Sequence, residues 1–222
     1  MNNVIKKNTK IWNNIFEKKK FAPCFPTSNI QVFVKYHLPK KNKSSFKILD
    51  VGFGNGVNLK YLKDLGFSVY GIDSTKWAVN LQRKYFNKHE YKKRIKLNSF
   101  EKIQFKDNFF DAVIADGVLY YANIYQLKNG INEIYRVLKR KSQARIYIKT
   151  KSDAIYKKSK TKKASLLIKK NGWERGLTLS FLSEKQVKLF FNKFKKIKMG
   201  IDEFNYIDHK EKHSFWVITA TK

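Results

Sequence analysis

The run Lys47-Ile-Leu-Asp-Val-Gly-Phe-Gly-Asn-Gly56 is the part of the sequence on which the fold turns. Ile48, Leu49 and Val51 form the short apolar run of a buried strand, which breaks into glycines at alternate positions, Gly52, Gly54 and Gly56. A strand therefore feeds a tight loop with few side chains. Beyond it Val57, Leu59, Leu62, Leu65 and Phe67 recur at near-helical spacing, so the loop opens a helix whose first amides face whatever lies above the strand. That is a turn of the nucleotide-binding type. Asp73 closes the next apolar run, Val69-Tyr-Gly-Ile-Asp73, seventeen positions after Gly56. A carboxylate there can accept from two vicinal ribose hydroxyls at once, as the acid ending the second strand does in dinucleotide folds.

The spacing departs from a dinucleotide site in one respect. The dinucleotide fingerprint is GxGxxG, whereas here the glycines run GxGxG and Val57 stands where the last glycine would ease helix packing beneath a pyrophosphate. Asp50, just before the first glycine, would repel a pyrophosphate but suit an ammonium group. Leu-Asp-Val-Gly-x-Gly-x-Gly followed by Gly-Ile-Asp resembles the class I S-adenosylmethionine-dependent methyltransferases, in particular small bacterial members of the methyltransferase-domain type. Several of these serve surface-glycan pathways. The resemblance runs through residues 47–149. Lys106-Asp-Asn-Phe-Phe-Asp111 looks like the family's approach to its fourth strand, and Glu133-Ile-Tyr-Arg-Val-Leu-Lys139 like its helix-closing turn without the usual proline and glycines.

That resemblance implies S-adenosyl-L-methionine as cofactor and assigns expected roles. Asp50 and the backbone of Gly52, Gly54 and Gly56 would hold the aminocarboxypropyl arm, with Asn58 fixing the helix start and Asp73, beside Ser74, on the ribose. Ser99 and Phe100 stand where the family usually carries an acid for the adenine amine, so adenine contacts would fall to the Ser99 hydroxyl and the Phe100 ring, with a plain turn role open for Ser99. Asp116 and Gly117 end the fourth strand beside the methionine half. Asp116-Gly-Val lacks the Pro-Pro-aromatic sequence of base-amine methyltransferases, which counts against that class. Tyr120 and Tyr121 follow, where relatives often carry a histidine, and are the candidate catalytic residues.

The order of apolar runs implies an α/β fold with a mostly parallel sheet and a helical N-terminal preface, and the resemblance implies that the sheet is Rossmann-like and seven-stranded with a C-terminal antiparallel strand. We read residues 1–222 as one methyltransferase domain: a preface or lid at 1–45, a cofactor-binding core at 46–149, a basic loop near the acceptor at 150–182, and a C-terminal helix and strands at 183–222. The preface shows a helical pattern through Ile5, Ile11, Trp12, Ile15 and Phe16, then a second helix capped by Thr27 or Ser28, with Trp12, Phe25 and Tyr36 as lid candidates. Thr75 to Asn87 reads as one helix. Ser183 reads as the cap of a late helix, and the stretches from Ile197 and from His213 supply the last strands.

The formal charge of +31 invites a nucleic-acid reading, yet only six of the 48 cationic residues are arginine, the residue that makes bidentate phosphate and base contacts. The joint abundance of Lys, Asn, Ile, Phe and Tyr is also what an AT-rich coding sequence produces. Nine of the 22 residues from Lys149 to Lys170 are lysine, the pattern of a solvated loop. If that stretch roofs the acceptor pocket, it favours an anionic acceptor, which needs no general base. A neutral hydroxyl would need one, and His209 and His213 could serve only if the C-terminal segment folds over the site. The single cysteine, Cys24, excludes an internal disulfide and a thiolate metal cluster, and no metal site is expected. Neither an apolar N-terminal leader nor an eighteen-residue apolar run is present, so we expect a cytoplasmic chain. The expected activity is O-methylation of a small acceptor such as a surface-polysaccharide precursor sugar or a phosphate or phosphoramidate-type group. RNA methylation and a non-catalytic cofactor-binding module are the alternatives.

Overall fold

In the computed structural model, which describes residues 3–18, 25–169, 174–205 and 212–222, the glycine loop follows a central strand. That strand, β1 (Lys47–Val51), pairs in parallel with β2 (Ser68–Asp73) on one side and β4 (Phe110–Asp116) on the other. Outward from β2 lies the short β3 (Ile95–Leu97), and outward from β4 lies β5 (Leu138–Lys149), both parallel. The last strand, β9 (His213–Thr221), inserts antiparallel between β5 and β8 (Lys196–Phe204). The order is therefore β3-β2-β1-β4-β5-β9-β8, as the alternation of strands and helices implies. Direction of travel along the sheet reverses between β1 and β4. A crevice opens there at the carboxyl ends of the strands, where such sheets bind ligands.

The central strands are apolar on both faces because both are covered. Ile48, Ala112 and Ile114 face one cluster with Leu59 and Leu62 of α3 (Val57–Asp64), while Leu49, Val51, Val113 and Ala115 face the other with Leu127 and Ile131 of α6 (Ile124–Val137). Successive side chains on a strand point to opposite faces, so Asp50 shares the side of Ile48 rather than that of the α6 cluster. The preface forms α1 (Asn3–Glu17) and α2 (Ser28–His37). Buried Asn8 fastens α1 to the fold: its Nδ2 donates to the Tyr121 and Thr178 carbonyls at 2.9 and 3.0 Å, and its Oδ1 accepts from Thr178 N.

Three expectations need correction. The expected helix over Thr75–Asn87 stops early as α4 (Lys76–Leu81) and a short 3₁₀ turn, because Asn87 caps a separate α5 (Lys88–Arg94) by accepting from Glu90 N. Thr27 occupies the N-cap of α2, but its hydroxyl donates to Asp116 at 2.9 Å instead of capping the helix. The lysine-rich stretch is not a bare loop. It carries α7 (Ala154–Lys158), capped by Asp153, and β6 (Ser165–Leu167), which pairs antiparallel with β7 (Thr178–Ser180) as a small second sheet. Ser183 does cap α8 (Glu184–Phe190), through a reciprocal capping box with Gln186. Among the described residues no helix is long and apolar enough to cross a membrane.

Candidate functional site

The crevice above β1 and β4 holds a cavity of about 400 Å³. Its floor is the glycine loop, whose turn requires left-handed backbone at Gly52, Gly54 and Gly56, with φ of 71°, 55° and 82°. A Cβ on Gly52 would lie 2.3 Å from Val118, so the loop and the end of β4 touch backbone to side chain. Gly54 N donates to Asp73 Oδ2 at 2.9 Å, while Asp73 Oδ1 accepts from Thr75 N and Thr75 Oγ1 at 2.8 and 2.7 Å. Asp73 thus ties the loop to the end of β2 and lines the cavity with both oxygens already accepting hydrogen bonds. Burial raises its pKa in spite of these donors.

Opposite it, at the end of β4, Asp116 accepts from Thr27 Oγ1 and from Asn29 Nδ2, and Asn58 adds a further hydrogen bond. Burial also raises this carboxyl. Gly117, Ser74, Ser99, Phe100 and Asn58 line the same cavity. Ser74 accepts from Thr9 of α1 at 3.0 Å, and Ser99 accepts from Glu101 N, so the turn role of Ser99 coexists with its place on the wall. Phe100 is largely a core residue, pressed so close to Gly130 of α6 that a Cβ there would sit 2.7 Å away.

Two predicted site residues do not line the cavity. Gly56 lies at the start of α3, against the Gln82 side chain. Asp50 is 1% exposed beneath the loop, because the strand alternation turns it into the α3 side of the sheet. It has no hydrogen-bond partner among the described residues, and burial, then the nearby Asp116 and Asp73, push its pKa well above the usual carboxylate range.

The outer end of the cavity is aromatic. Tyr120 and Tyr121 line it, with ring centroids 4.4 Å apart and both hydroxyls pushed upward in pKa by burial. Tyr121 OH donates to Glu174 at 3.2 Å, and the Glu174 carboxyl is itself raised by burial. Facing them, Tyr147 stacks on Phe215 at 4.4 Å and donates to Asp202 at 2.7 Å. Lys149, 2% exposed, donates to Asp153 at 2.8 Å, and His213 Nδ1 lies 3.8 Å from the same carboxylate. His213 also lines the cavity, so the C-terminal segment does reach the site, whereas His209 lies outside the described residues. Of the lid candidates, Trp12 lines the cavity and meets Tyr121 edge-on at 4.9 Å, Phe25 sits at its rim, and Tyr36 points to solvent. The lysine-rich roof is corrected here. Among the described residues the one lysine lining the cavity is Lys149, and Asp153 neutralises it, because a buried ammonium must be paired.

Residues 49–146, which hold the glycine loop and the ends of β1, β2 and β4, match the methyltransferase domain family. Over that segment the chain is similar to S-adenosylmethionine-dependent methyltransferase domains. Solved structures agree in fold. An S-adenosylmethionine-dependent methyltransferase from Thermotoga maritima, described as a possible histamine N-methyltransferase, is 18% identical, with a TM-score of 0.64 over 96% of this chain and 99% of the other. A methyltransferase from Methanosarcina mazei is 19% identical, with a TM-score of 0.65 over 89% and 98%. A protein from Pyrococcus horikoshii gives 20% identity and a TM-score of 0.63 over 86% and 87%. No curated protein matches the sequence.

The cavity suits S-adenosylmethionine, the cofactor that the matched domain and the fold imply. S-adenosylmethionine is cationic at sulfur and at its amino group, and the loop is surrounded by Asp50, Asp73 and Asp116, with Asp50 Oδ2 and Asn58 Oδ1 buried and lacking partners among the described residues. A net-negative, acceptor-rich pocket is what such a molecule requires. Sequence reasoning missed Asn8, Thr27, Tyr147, Lys149 and Glu174 as parts of the site. Only Glu174 left a trace, as a lone acid closing a lysine-rich stretch.

Proposed function

We propose that this methyltransferase transfers a methyl group to a hydroxyl of a small acceptor enclosed in the aromatic end of the cavity. S-adenosylmethionine, when bound, supplies an electrophilic methyl on a positively charged sulfur. The chain's own contribution is placement: holding the acceptor oxygen in line at ~3–3.5 Å accounts for much of the acceleration in such reactions. In this reading Asp73 and Ser74 hold the ribose, the cavity-lining part of the loop, Gly52–Asn55, and Asn58 hold the aminocarboxypropyl arm, Asp116 and Gly117 flank the methionine half, and Ser99 and Phe100 flank the adenine. Asp50 acts through its charge from below the loop. Residues 1–222 serve as one domain, with residues 1–45 as its lid.

The observation that carries the hydroxyl reading is the pairing of proton acceptors with aromatic walls. Tyr121 is bonded to Glu174, and His213 stands beside Asp153. Tyrosine alone is a poor base, and burial makes Tyr120 and Tyr121 poorer still. The raised Glu174 carboxyl and an aspartate-oriented imidazole are better suited to take a hydroxyl proton. A pre-ionised phosphate-type acceptor fits less well, since Lys149 is occupied by Asp153. A sugar of a surface-glycan precursor in the cytoplasm remains the acceptor class we favour, its ring lying on the stacked Tyr147 and Phe215.

The test is a radiolabelled-methyl assay on cell extract separated into small molecules, glycan and RNA, preceded by calorimetric titration with S-adenosylhomocysteine. Label in the small-molecule or glycan fraction is the expected result. Label confined to RNA overturns the small-acceptor reading, and absence of S-adenosylhomocysteine binding overturns the cofactor assignments.

A further inference from the structure

A second cleft lies beside β3, the edge strand of the sheet, with none of its lining residues shared with the cofactor cavity. It encloses about 650 Å³ between β2, the start of β3 and the segment leading into β4. Lys93, Lys96, Lys102, Lys106 and Arg136 line it against one acid, Glu133. Glu133 is already used: it accepts from Arg136 Nε and Nη2 at 2.8 Å each and from Ile103 N at 2.7 Å. Arg136 is used as well, since it also donates to the Ile103 and Phe105 carbonyls and to Asp107. Those bonds brace residues 103–107 as a fixed wall. Lys93, Lys102 and Lys106 meet no carboxylate among the described residues. Three lysines thus line a braced cleft, none of them paired with a carboxylate among the described residues.

The floor of the cleft is not polar. Phe105 and Phe109 lie near-parallel, 9° apart in plane, and Tyr70 stands edge-on to both. Tyr70 is 4% exposed, lines the cleft, and its hydroxyl has no hydrogen-bond partner among the described residues. A phenolic hydroxyl on the wall of a cleft can donate to or accept from a polar ligand atom. Lysines supply point charge to phosphate, and flat aromatic groups supply sequence-tolerant stacking to a base.

We propose that this cleft binds a phosphorylated nucleoside, either free or as part of an RNA chain, with the phosphate on Lys93, Lys102 and Lys106 and the ring over Phe105 and Phe109 beside Tyr70. The assignment is independent of the acceptor chosen above. It also gives a local purpose to charge that the cofactor cavity does not use.

The test uses the full chain saturated with S-adenosylhomocysteine, so that nucleotide cannot enter the cofactor cavity. Inorganic phosphate, uridine monophosphate and a fluorescein-labelled oligouridylate are titrated into it. Uridine monophosphate should bind more tightly than phosphate. Lys102→Ala/Lys106→Ala should weaken it about tenfold or more, and Tyr70→Phe should weaken it less, while Lys40→Ala/Lys41→Ala, on exposed lysines outside both cavities, should leave it unchanged. Affinity for S-adenosylhomocysteine should be unchanged in every variant. Tighter binding of the oligouridylate with a steep loss in salt assigns the cleft to RNA, and equal affinity for the two assigns it to a free nucleotide. The proposal is overturned by absence of binding, by equal affinity for phosphate and nucleotide, or by equal losses in the cleft and control variants.

Discussion

Replacing Asp50 by Asn should move stability and cofactor affinity in opposite directions. Asp50 is 1% exposed and accepts no hydrogen bond among the described residues, so its charge is buried without compensation. Its pKa is raised in the folded chain by burial and by Asp116 and Asp73. The sign follows from linkage. Below the unfolded-state pKa of about 3.9 the carboxyl is neutral in both states, and no penalty exists. As pH rises from the unfolded value toward the raised folded one, the unfolded chain releases its proton while the folded chain keeps it, so the wild type loses stability relative to Asp50→Asn until the folded value is passed. A buried unsatisfied group costs ~1–3 kcal/mol, and a charged one more. The amide keeps the shape and some of the cost, so we take about 2 kcal/mol as the gain at pH 8. At ~2–4 °C per kcal/mol for a chain of this length, Tm should rise by about 4–8 °C at pH 8 and hardly at all at pH 4. The same change removes a negative charge from beneath the pocket of a cationic cofactor, and S-adenosylhomocysteine, which keeps the ammonium group, should bind about tenfold more weakly. Scanning calorimetry across pH and isothermal titration make the two measurements. A lower Tm at pH 8 would refute the unpaired burial, and an unchanged Kd would refute the electrostatic role.

Three further outcomes follow from other parts of the site. Asp73→Ala removes the acceptor of Gly54 N and the proposed ribose contact, and should weaken S-adenosylhomocysteine binding by about 1.5–3 kcal/mol in a calorimetric titration. Unchanged affinity would remove the ribose role. Tyr121→Phe cuts the bond to Glu174 and should lower methyl incorporation into the labelled fraction while leaving cofactor affinity alone; equal incorporation rates would take that hydroxyl out of the mechanism. Lys149→Met leaves Asp153 buried without its ammonium and should cost about 3–5 kcal/mol in chemical denaturation, toward the lower end because Ser214 N still donates to the carboxylate. A loss below about 1 kcal/mol would mean that the pair is not buried as described.

What the sequence made legible is what local spacing encodes. The glycine loop, Asp73 and the strand order needed only neighbours in sequence, because φ > 0 at Gly52, Gly54 and Gly56 and the end of an apolar run are local facts. The outer end of the cavity was not legible. Asn8 reaches Thr178 across 170 residues, and Thr27 reaches Asp116 across 89, and no periodicity announces such partners. The orientation of Asp50 is itself a local fact: it sits two residues after Ile48, and the period of a strand puts both on one face. In the lysine-rich stretch the charges masked a second signal, the short apolar runs that pair as β6 and β7.

The distribution of charge explains why composition misled about the acceptor. Each ammonium can stay in water at little cost, whereas each one brought into a closed cavity needs a partner. Cationic residues are therefore favoured on the surface, and among the described residues the one lysine that lines the cofactor cavity, Lys149, arrives with Asp153. The acids behave oppositely. Asp50, Asp73 and Asp116 are few but sit at the ends of central strands, where the parallel sheet forces their burial and where a cationic ligand would relieve the cost. The net charge of +31 is thus a property of the surface, and the cavity has the opposite sign. A positive surface draws in anions such as nucleotide phosphates but sets a weak barrier to a cationic cofactor. Raising the salt concentration screens that barrier while leaving the buried acids largely unscreened, so cofactor affinity should hold or rise under conditions that weaken phosphate binding at the second cleft.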